Sequence, residues 1–344
     1  MIIKWYMSDV HCCGYIRGEV LARAVNQNCS SIRIDCKTDV MLSDFYKTDI
    51  MVFQRQHQLD LLYKMRMAKD RGIKTVYEID DDLFNIPAEF TVPNKFYGRE
   101  DVRGVMASFL AESDATIAAT GNLAKALKKY NGGKPTWVVE NALDAELWEA
   151  THAKKQAMGK PNYLTIGWLA SQSHQMDAPL VMPALERLLD EFPKIRMHFI
   201  GWILKEDLSE KIQKQHMSRI RLQEWVDIAE LPQHMIDFDI GIAPLMDNDF
   251  NNCKSGIKAM QYWALGIPVV ASPLAAYDLI DERVNGFKPV TTDDWYACLK
   301  ELIENEEARL KMGAFGREKL LGAHDIRNTV GQWIDTFRQI MTLP

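Results

Sequence analysis

Short apolar runs rich in β-branched and aromatic residues recur along the chain. Each is followed by a stretch in which apolar positions return every three or four residues. Runs at 2–7, 31–34, 49–54, 74–80, 115–120 and 136–141 predict strands in the first half, with helices clearest at 17–26, 59–69 and 122–130. After residue 141 the pattern lapses, and the polar, lysine-bearing stretch 151–161 reads as a linker. The alternation then restarts. Strands are predicted at 163–170, 196–201, 219–226, 240–245 and 268–272, and helices at 179–191, 206–215, 255–265, 292–304 and 306–321. A last helix, 325–341, carries Ile326, Val330, Trp333, Ile334, Phe337 and Ile340 on one face.

Strand–helix alternation predicts α/β architecture, with parallel sheets covered by helices on both faces. Two such blocks predict two doubly wound, Rossmann-like domains facing a cleft, over residues 1–150 and 162–323, joined by 151–161 and followed by a C-terminal helix in 324–344. A length of 344 residues suits two cores that fold without disulfides or metals. The six cysteines show no CxxC and no zinc-type spacing, so they are expected to stay reduced. Formal net charge is −6, with 19 basic and 21 acidic residues up to position 150, so no domain is a general trap for nucleic acid.

The opening MIIKWYMSDV is too short an apolar run for an export signal. The longest uncharged stretch, 259–277, is cut by Gln261, Gly266, Pro268 and Pro273 into helix, turn and strand. No transmembrane segment and a cytoplasmic location are expected.

In open parallel sheets ligands lie beyond the carboxyl ends of the strands, so the loops there are the candidate sites. No GxGxxG and no GxxxxGK[ST] occurs, which argues against a nicotinamide dehydrogenase and a P-loop kinase. The informative segment is DNDFNNCKSGIKAMQYWALGIPVVAS at 247–272. Lys254 and Ser255 open a helix, Lys258 sits one turn inside and Gln261 a turn later. A helix N-terminus with two lysines four apart suits a diphosphate, although a capped amphipathic helix with solvated lysines has the same residues.

The run KSGIKAMQYWALGIPVVAS resembles the donor-binding motif of nucleotide-sugar glycosyltransferases of the GT-B fold, the glycogen-synthase-like, retaining group. IGWLASQSHQMD at 166–177, MHFIGW at 197–202 and EWVDIAELPQHMIDFDIGIAPL at 224–245 resemble further parts of the same domain. VYEIDDDLFNIP at 76–87 resembles a first-domain segment of a subgroup found in surface-glycan clusters and tailed phages. The resemblance implies a metal-independent transfer from a UDP- or GDP-type sugar, with no bound cofactor. Where the family usually places two acidic residues eight apart, this chain has Cys253 and Gln261. Glutamine still hydrogen-bonds a ribose diol, without charge.

The resemblance makes His174, Lys254 and Asp80 the catalytic candidates, with Asp80 on the acceptor side. The donor-side candidates are Trp168, Ser171, Ser173, Ser255, Gly256, Lys258 and Gln261, with Trp202 and Trp225 as stacking surfaces for a base. Ser173 and Asp177 also fit a helix cap. In the first-domain loops His11, Gly14, Tyr15, Arg17 and His57 are candidates, with Gly14 permitting close backbone approach and Arg17 able to reach a phosphate. No metal ligands are expected.

The reading is a glycosyltransferase that moves a sugar from a nucleotide-diphosphate sugar to an acceptor hydroxyl on a glycan or lipid-linked sugar. A phage-type enzyme acting on hydroxymethylated DNA bases is the alternative within the class. The basic run Lys64, Arg66, Lys69, Arg71 and Lys74 is its physical support. A non-catalytic sugar-nucleotide-binding protein is the rival outside the class, motivated by Cys253 and Gln261.

Overall fold

A computed structural model describes residues 1–159 and 161–344, apart from the side chains of Gln172, Ser173 and Gln175. The chain forms two compact units. One comprises Met1–Asp144, Cys253–Ser255 and Asp325–Pro344, and the other Ala145–Asn252 and Gly256–His324.

The first unit is built on a parallel sheet of β1 (Ile2–Tyr6), β2 (Arg33–Lys37), β3 (Ile50–Gln54), β4 (Lys74–Ile79), β5 (Ala115–Ala118) and β6 (Thr136–Val138), in the order β2-β1-β3-β4-β5-β6. The strands are near-continuous apolar runs because both faces are covered; every residue of β3 is buried. Ile326, Val330, Trp333, Phe337 and Ile340 of the helix Ile326–Met341 join this core, with Trp333 edge-on to Trp5 at 5.6 Å.

The second unit has β7 (Leu164–Ala170), β8 (Ile195–Gly201), β9 (Ile220–Gln223), β10 (Ile240–Ala243), β11 (Val269–Ala271) and β12 (Gly286–Phe287), ordered β12-β11-β10-β7-β8-β9 and again parallel. The strand order reverses between β7 and β10, the place where a doubly wound sheet binds its ligand. Two glycines face each other there, Gly167 on β7 and Gly241 on β10. A Cβ on Gly167 would lie 2.0 Å from the Phe238 ring, and one on Gly241 2.5 Å from the Tyr262 ring. Both rings therefore rest directly on the sheet. The Tyr262 hydroxyl donates to the Ile242 carbonyl (2.8 Å) and accepts from the Leu169 amide (3.0 Å), pinning its helix above the switch point. Gly167→Ala is expected to destabilise the second unit by about 1–3 kcal/mol, as overpacking does, read as a lower urea midpoint.

The stretch 151–161 departs from the expected linker. Residues up to 157 complete the helix Glu146–Ala157, with Glu146 and Glu149 in its first turn and Lys154 and Lys155 in its last. That arrangement favours the helix dipole, and Trp148 and Thr151 are buried. All six cysteines are unbridged. Among the described residues no helix is long and apolar enough to cross a membrane. The uncharged stretch 259–277 falls into a helix, a strand and a short 3-10 turn.

Candidate functional site

At the switch point of the second unit, β7 ends at Ala170 and leads into the short turn Gln172–Asp177, which carries His174. His174 is buried, and its Nδ1 lies 2.9 Å from Asp177 Oδ2. The other oxygen, Asp177 Oδ1, accepts from the Met246 amide just past β10 (2.7 Å), with Asn251 Nδ2 at 3.5 Å. One fully buried carboxylate thus ties the loop after β7 to the loop after β10 and orients the imidazole. A proton on Nδ1 shared with the carboxylate fixes the tautomer and leaves Nε2 as the ring nitrogen that carries the lone pair. In the sequence Asp177 also fits a helix cap, and it is the N-cap residue of the helix Ala178–Glu191. Asp177 makes no side-chain cap bond, because its carboxylate is committed to His174 and Met246.

The helix Ile257–Ala264 starts at Gly256, whose Cβ would lie 2.1 Å from Leu279 Cδ2 and 2.7 Å from the Ala276 carbonyl. Lys258 stands in its first turn. Gln261 is buried in the next, and its Oε1 has no hydrogen-bond partner among the described residues. A buried carbonyl of this kind is an acceptor looking for a donor.

The tryptophans separate by position along their strands. Trp202 follows β8 and is 39% exposed; Trp225 follows β9 and is 43% exposed. Both present ring surface beyond strand carboxyl ends. Trp168 lies inside β7, in the core and edge-on to Phe199 at 6.1 Å, so it serves packing rather than a donor. Ser171 directly follows β7, and its carbonyl accepts from the His174 amide (2.9 Å). The Ser173 side chain lies outside the described residues.

In the first unit the strand order reverses between β1 and β3. Gly14 is required where it stands, because a Cβ would lie 1.7 Å from the Asp9 carbonyl oxygen. Asp9 Oδ1 also gathers the amides of His11 and Cys12 at 3.1 and 3.0 Å, which shapes the loop. His11 is exposed, and Tyr15 packs on the core with its hydroxyl accepting from Arg23 (3.3 Å).

Arg17 corrects the sequence reading. It turns inward rather than toward a phosphate, donating through Nε to Glu78 Oε1 (2.7 Å) and through Nη1 to the Val139 carbonyl (2.7 Å) and Asn141 Oδ1 (3.1 Å).

Beyond β3, Arg55 adopts a positive φ of 50°, uncommon for a long side chain and a mark of functional or strained positions. Its Nη1 reaches Cys13 Sγ (2.7 Å) and Asp80 Oδ1 (3.2 Å), with Asp81 Oδ2 at 4.0 Å. Burial opposes the Arg55 charge, but Asp80, Cys13, Tyr97 and Asp81 around it together outweigh burial, so its pKa is held above its ordinary value. His57 sets its ring edge-on to Phe96 at 5.0 Å. Of the tripeptide Cys253–Ser255, which belongs to this unit, Lys254 Nζ lies 3.7 Å from Asp81 Oδ1 and Ser255 Oγ accepts from Asn141 Nδ2 (2.6 Å). Cys253 is buried, with its carbonyl accepting from Thr120 Oγ1 (2.9 Å).

The basic run is internally engaged. Lys64 pairs with Asp39 (2.7 Å), Arg66 grips Glu112 through two bonds (2.7 and 2.6 Å), and Lys69 pairs with Asp114 (3.2 Å). Arg71 donates to the Met67 carbonyl (2.8 Å) and Lys74 to the Pro344 carbonyl (2.9 Å). A phosphate track needs unpaired cations, and each of these already has a partner within the protein. The run gives a DNA acceptor correspondingly less physical support.

Comparison with known proteins agrees with the architecture. Residues 160–305 match the family model described as Glycosyl transferases group 1. A Bacillus subtilis (strain 168) protein named for teichuronic acid biosynthesis, the glycosyltransferase TuaH, is 23% identical over 263 residues, 71% of this chain and 60% of that protein. The chain therefore spans about three fifths of the length of this curated relative. Among solved structures, sucrose-phosphate synthase from Thermosynechococcus elongatus superposes with a TM-score of 0.70 at 12% identity, covering 100% of both chains. Anabaena HepE, solved in complex with UDP, gives 0.68 at 15% identity, covering 98% of this chain and 99% of that one; its UDP-glucose complex gives 0.67. The fold is GT-B, with two six-stranded parallel sheets covered by helices.

Proposed function

We propose that this chain is a glycosyltransferase whose second unit binds a nucleotide-diphosphate sugar of the UDP type and whose first unit presents the acceptor hydroxyl. The observation that carries the reading is the switch point of the second unit. There a buried, carboxylate-oriented His174 and the start of the helix Ile257–Ala264 belong to the 160–305 segment that matches the glycosyl transferases group 1 model. The UDP and UDP-glucose complexes of HepE, a structural neighbour over nearly the whole chain, support the donor class.

The chemistry follows from charge. Breaking the bond between the sugar and the diphosphate leaves negative charge on the departing phosphate. Amides at the helix start, the ammonium groups of Lys258 and Lys254, and protonated His174 meet that charge as it develops. Gln261 Oε1 accepts from a ribose hydroxyl in place of a carboxylate. Trp202 or Trp225 stacks on the base. On the acceptor side, Arg55 and Asp80 hold the sugar hydroxyls of a glycan or lipid-linked sugar, and the anomeric configuration of the donor is retained.

A thermal-shift screen against nucleotide-diphosphate sugars tests the donor assignment, and UDP-sugars are expected to stabilise the protein most. Lys258→Ala is expected to weaken UDP binding by about 1.5–3 kcal/mol, the scale of a hydrogen bond to a charged group. Unchanged UDP affinity in both Lys258→Ala and Lys254→Ala would remove the two lysines from the diphosphate site. The anomeric proton coupling of the product, read by NMR, decides retention.

A further inference from the structure

The N-terminal ends of β7, β8 and β9, at the opposite edge of the sheet from His174, hold a separate cavity of about 180 Å³. Its wall includes Tyr163, Arg196, His198, Arg219, Arg221 and Asp237. His198 on β8 stands directly opposite Arg221 on β9, and Arg196 lies two residues before His198, so the three project from one face of the sheet. Arg219, just before β9, commits its guanidinium to the carbonyls of Leu189 (2.5 Å) and Phe192 (2.8 Å) and to His216 Nδ1 (2.8 Å).

Two guanidinium groups that stay charged at any working pH, Arg196 and Arg221, thus line one small space. Like charges on adjacent strands destabilise a sheet. Asp237 is the single carboxylate in the wall, and His198 Nδ1 already engages its Oδ1 at 3.0 Å, leaving Oδ2 3.9 Å from Arg221. Arg196 stacks over the Tyr163 ring at 3.8 Å. Stacking fixes the plane of the guanidinium and leaves its N–H edge for a ligand. Arg196 makes no hydrogen bond to any described residue, and Arg221 makes one, to Gln223 Oε1 (3.0 Å). Two planar forks on one face of the sheet match the oxygens of a tetrahedral oxyanion.

We propose that this cavity is a phosphate-binding site, separate from the donor site, with Arg196 and Arg221 as its ligands. The phosphate belongs either to a soluble phosphate or to the headgroup of an anionic lipid. The test is calorimetric titration of the full chain with inorganic phosphate in saturating UDP, so that a diphosphate site in the same unit is already filled. One phosphate is expected to bind, and Arg196→Ala/Arg221→Ala should weaken it at least tenfold while UDP affinity stays the same. Both arginines are exposed, so the variant should melt with the wild type; Arg196→Lys/Arg221→Lys, which keeps charge but loses the forks, should fall between.

Co-sedimentation with phosphatidylglycerol vesicles, and not with phosphatidylcholine vesicles, assigns the site to lipid when the double alanine variant abolishes it. Phosphate binding without co-sedimentation assigns it to a soluble phosphate. Neither phosphate nor vesicle binding, or binding that the double variant leaves unchanged, would overturn the proposal.

Discussion

Arg17→Ala is expected to lower the stability of the first unit by about 3–5 kcal/mol at pH 8, the scale for removing one partner of a buried ion pair. Arg17 is 2% exposed and Glu78 not at all, so truncation strands a carboxylate inside the protein. It also removes the guanidinium that lies 4.8 Å from the Trp333 ring centre and the donors to Val139 and Asn141.

The loss should depend on pH. Burial pushes the Glu78 carboxyl up and Arg17 pulls it only part of the way back, which leaves it at about 7. A folded-state pKa raised above the unfolded value contributes stability below the unfolded value, and that contribution is lost as pH rises through about 7. Without Arg17 the pKa rises further, so the gap between wild type and variant should be widest above pH 7 and narrow near pH 5, where Glu78 is protonated in both. Urea unfolding at the two pH values, with hydrogen exchange of β1 and β4 amides to identify the unit, measures it. A gap of the same size at both would mean that Glu78 does not control it.

His174→Ala is expected to slow sugar transfer by about 10²- to 10⁴-fold, the contribution of a positioned acid–base group. UDP affinity should change little, because in the proposed site the lysines and the helix start hold the diphosphate. Asp177→Asn should approach the same loss. An amide can present its N–H to Nδ1 and turn the imidazole to the other tautomer, and it no longer stabilises the imidazolium. The distinguishing readout is the pH–rate profile, whose limb due to His174 should shift downward in Asp177→Asn. A variant with reduced turnover and an unshifted profile would reduce Asp177 to a structural brace between the two loops.

How much of this was legible in the sequence depended on the range of each interaction. Strand–helix alternation located the parallel sheets because strands buried on both faces are written as local apolar runs. β12 escaped because two residues, Gly286 and Phe287, carry no readable pattern. The helix Glu146–Ala157 was hidden by its polar, lysine-bearing outer face, since only Trp148 and Thr151 are buried.

At the site, the helix bearing Lys258 and Gln261 could be placed from a contiguous motif. Asp177 could not be given its role, although the His-x-x-Asp spacing was visible. Its second partner, the Met246 amide, lies 69 residues away. Arg17 was misjudged for the same reason, with Glu78 61 residues distant. Trp168 was read with the donor motif it sits in, while its place inside β7 commits it to the core. Arg55 directly follows β3, where a ligand-bearing loop is expected from sequence, and its backbone angle adds to that placement.

The most direct test of the account is release of UDP from UDP-sugars, with UDP-glucose included, by wild type and His174→Ala, alongside calorimetry of UDP binding. The account predicts that both proteins bind UDP. Wild type should release UDP slowly alone and faster when a glycan acceptor is added, and His174→Ala should release almost none. Failure of the wild-type protein to bind UDP, or binding with no UDP released from any UDP-sugar in the presence of acceptors, would contradict it.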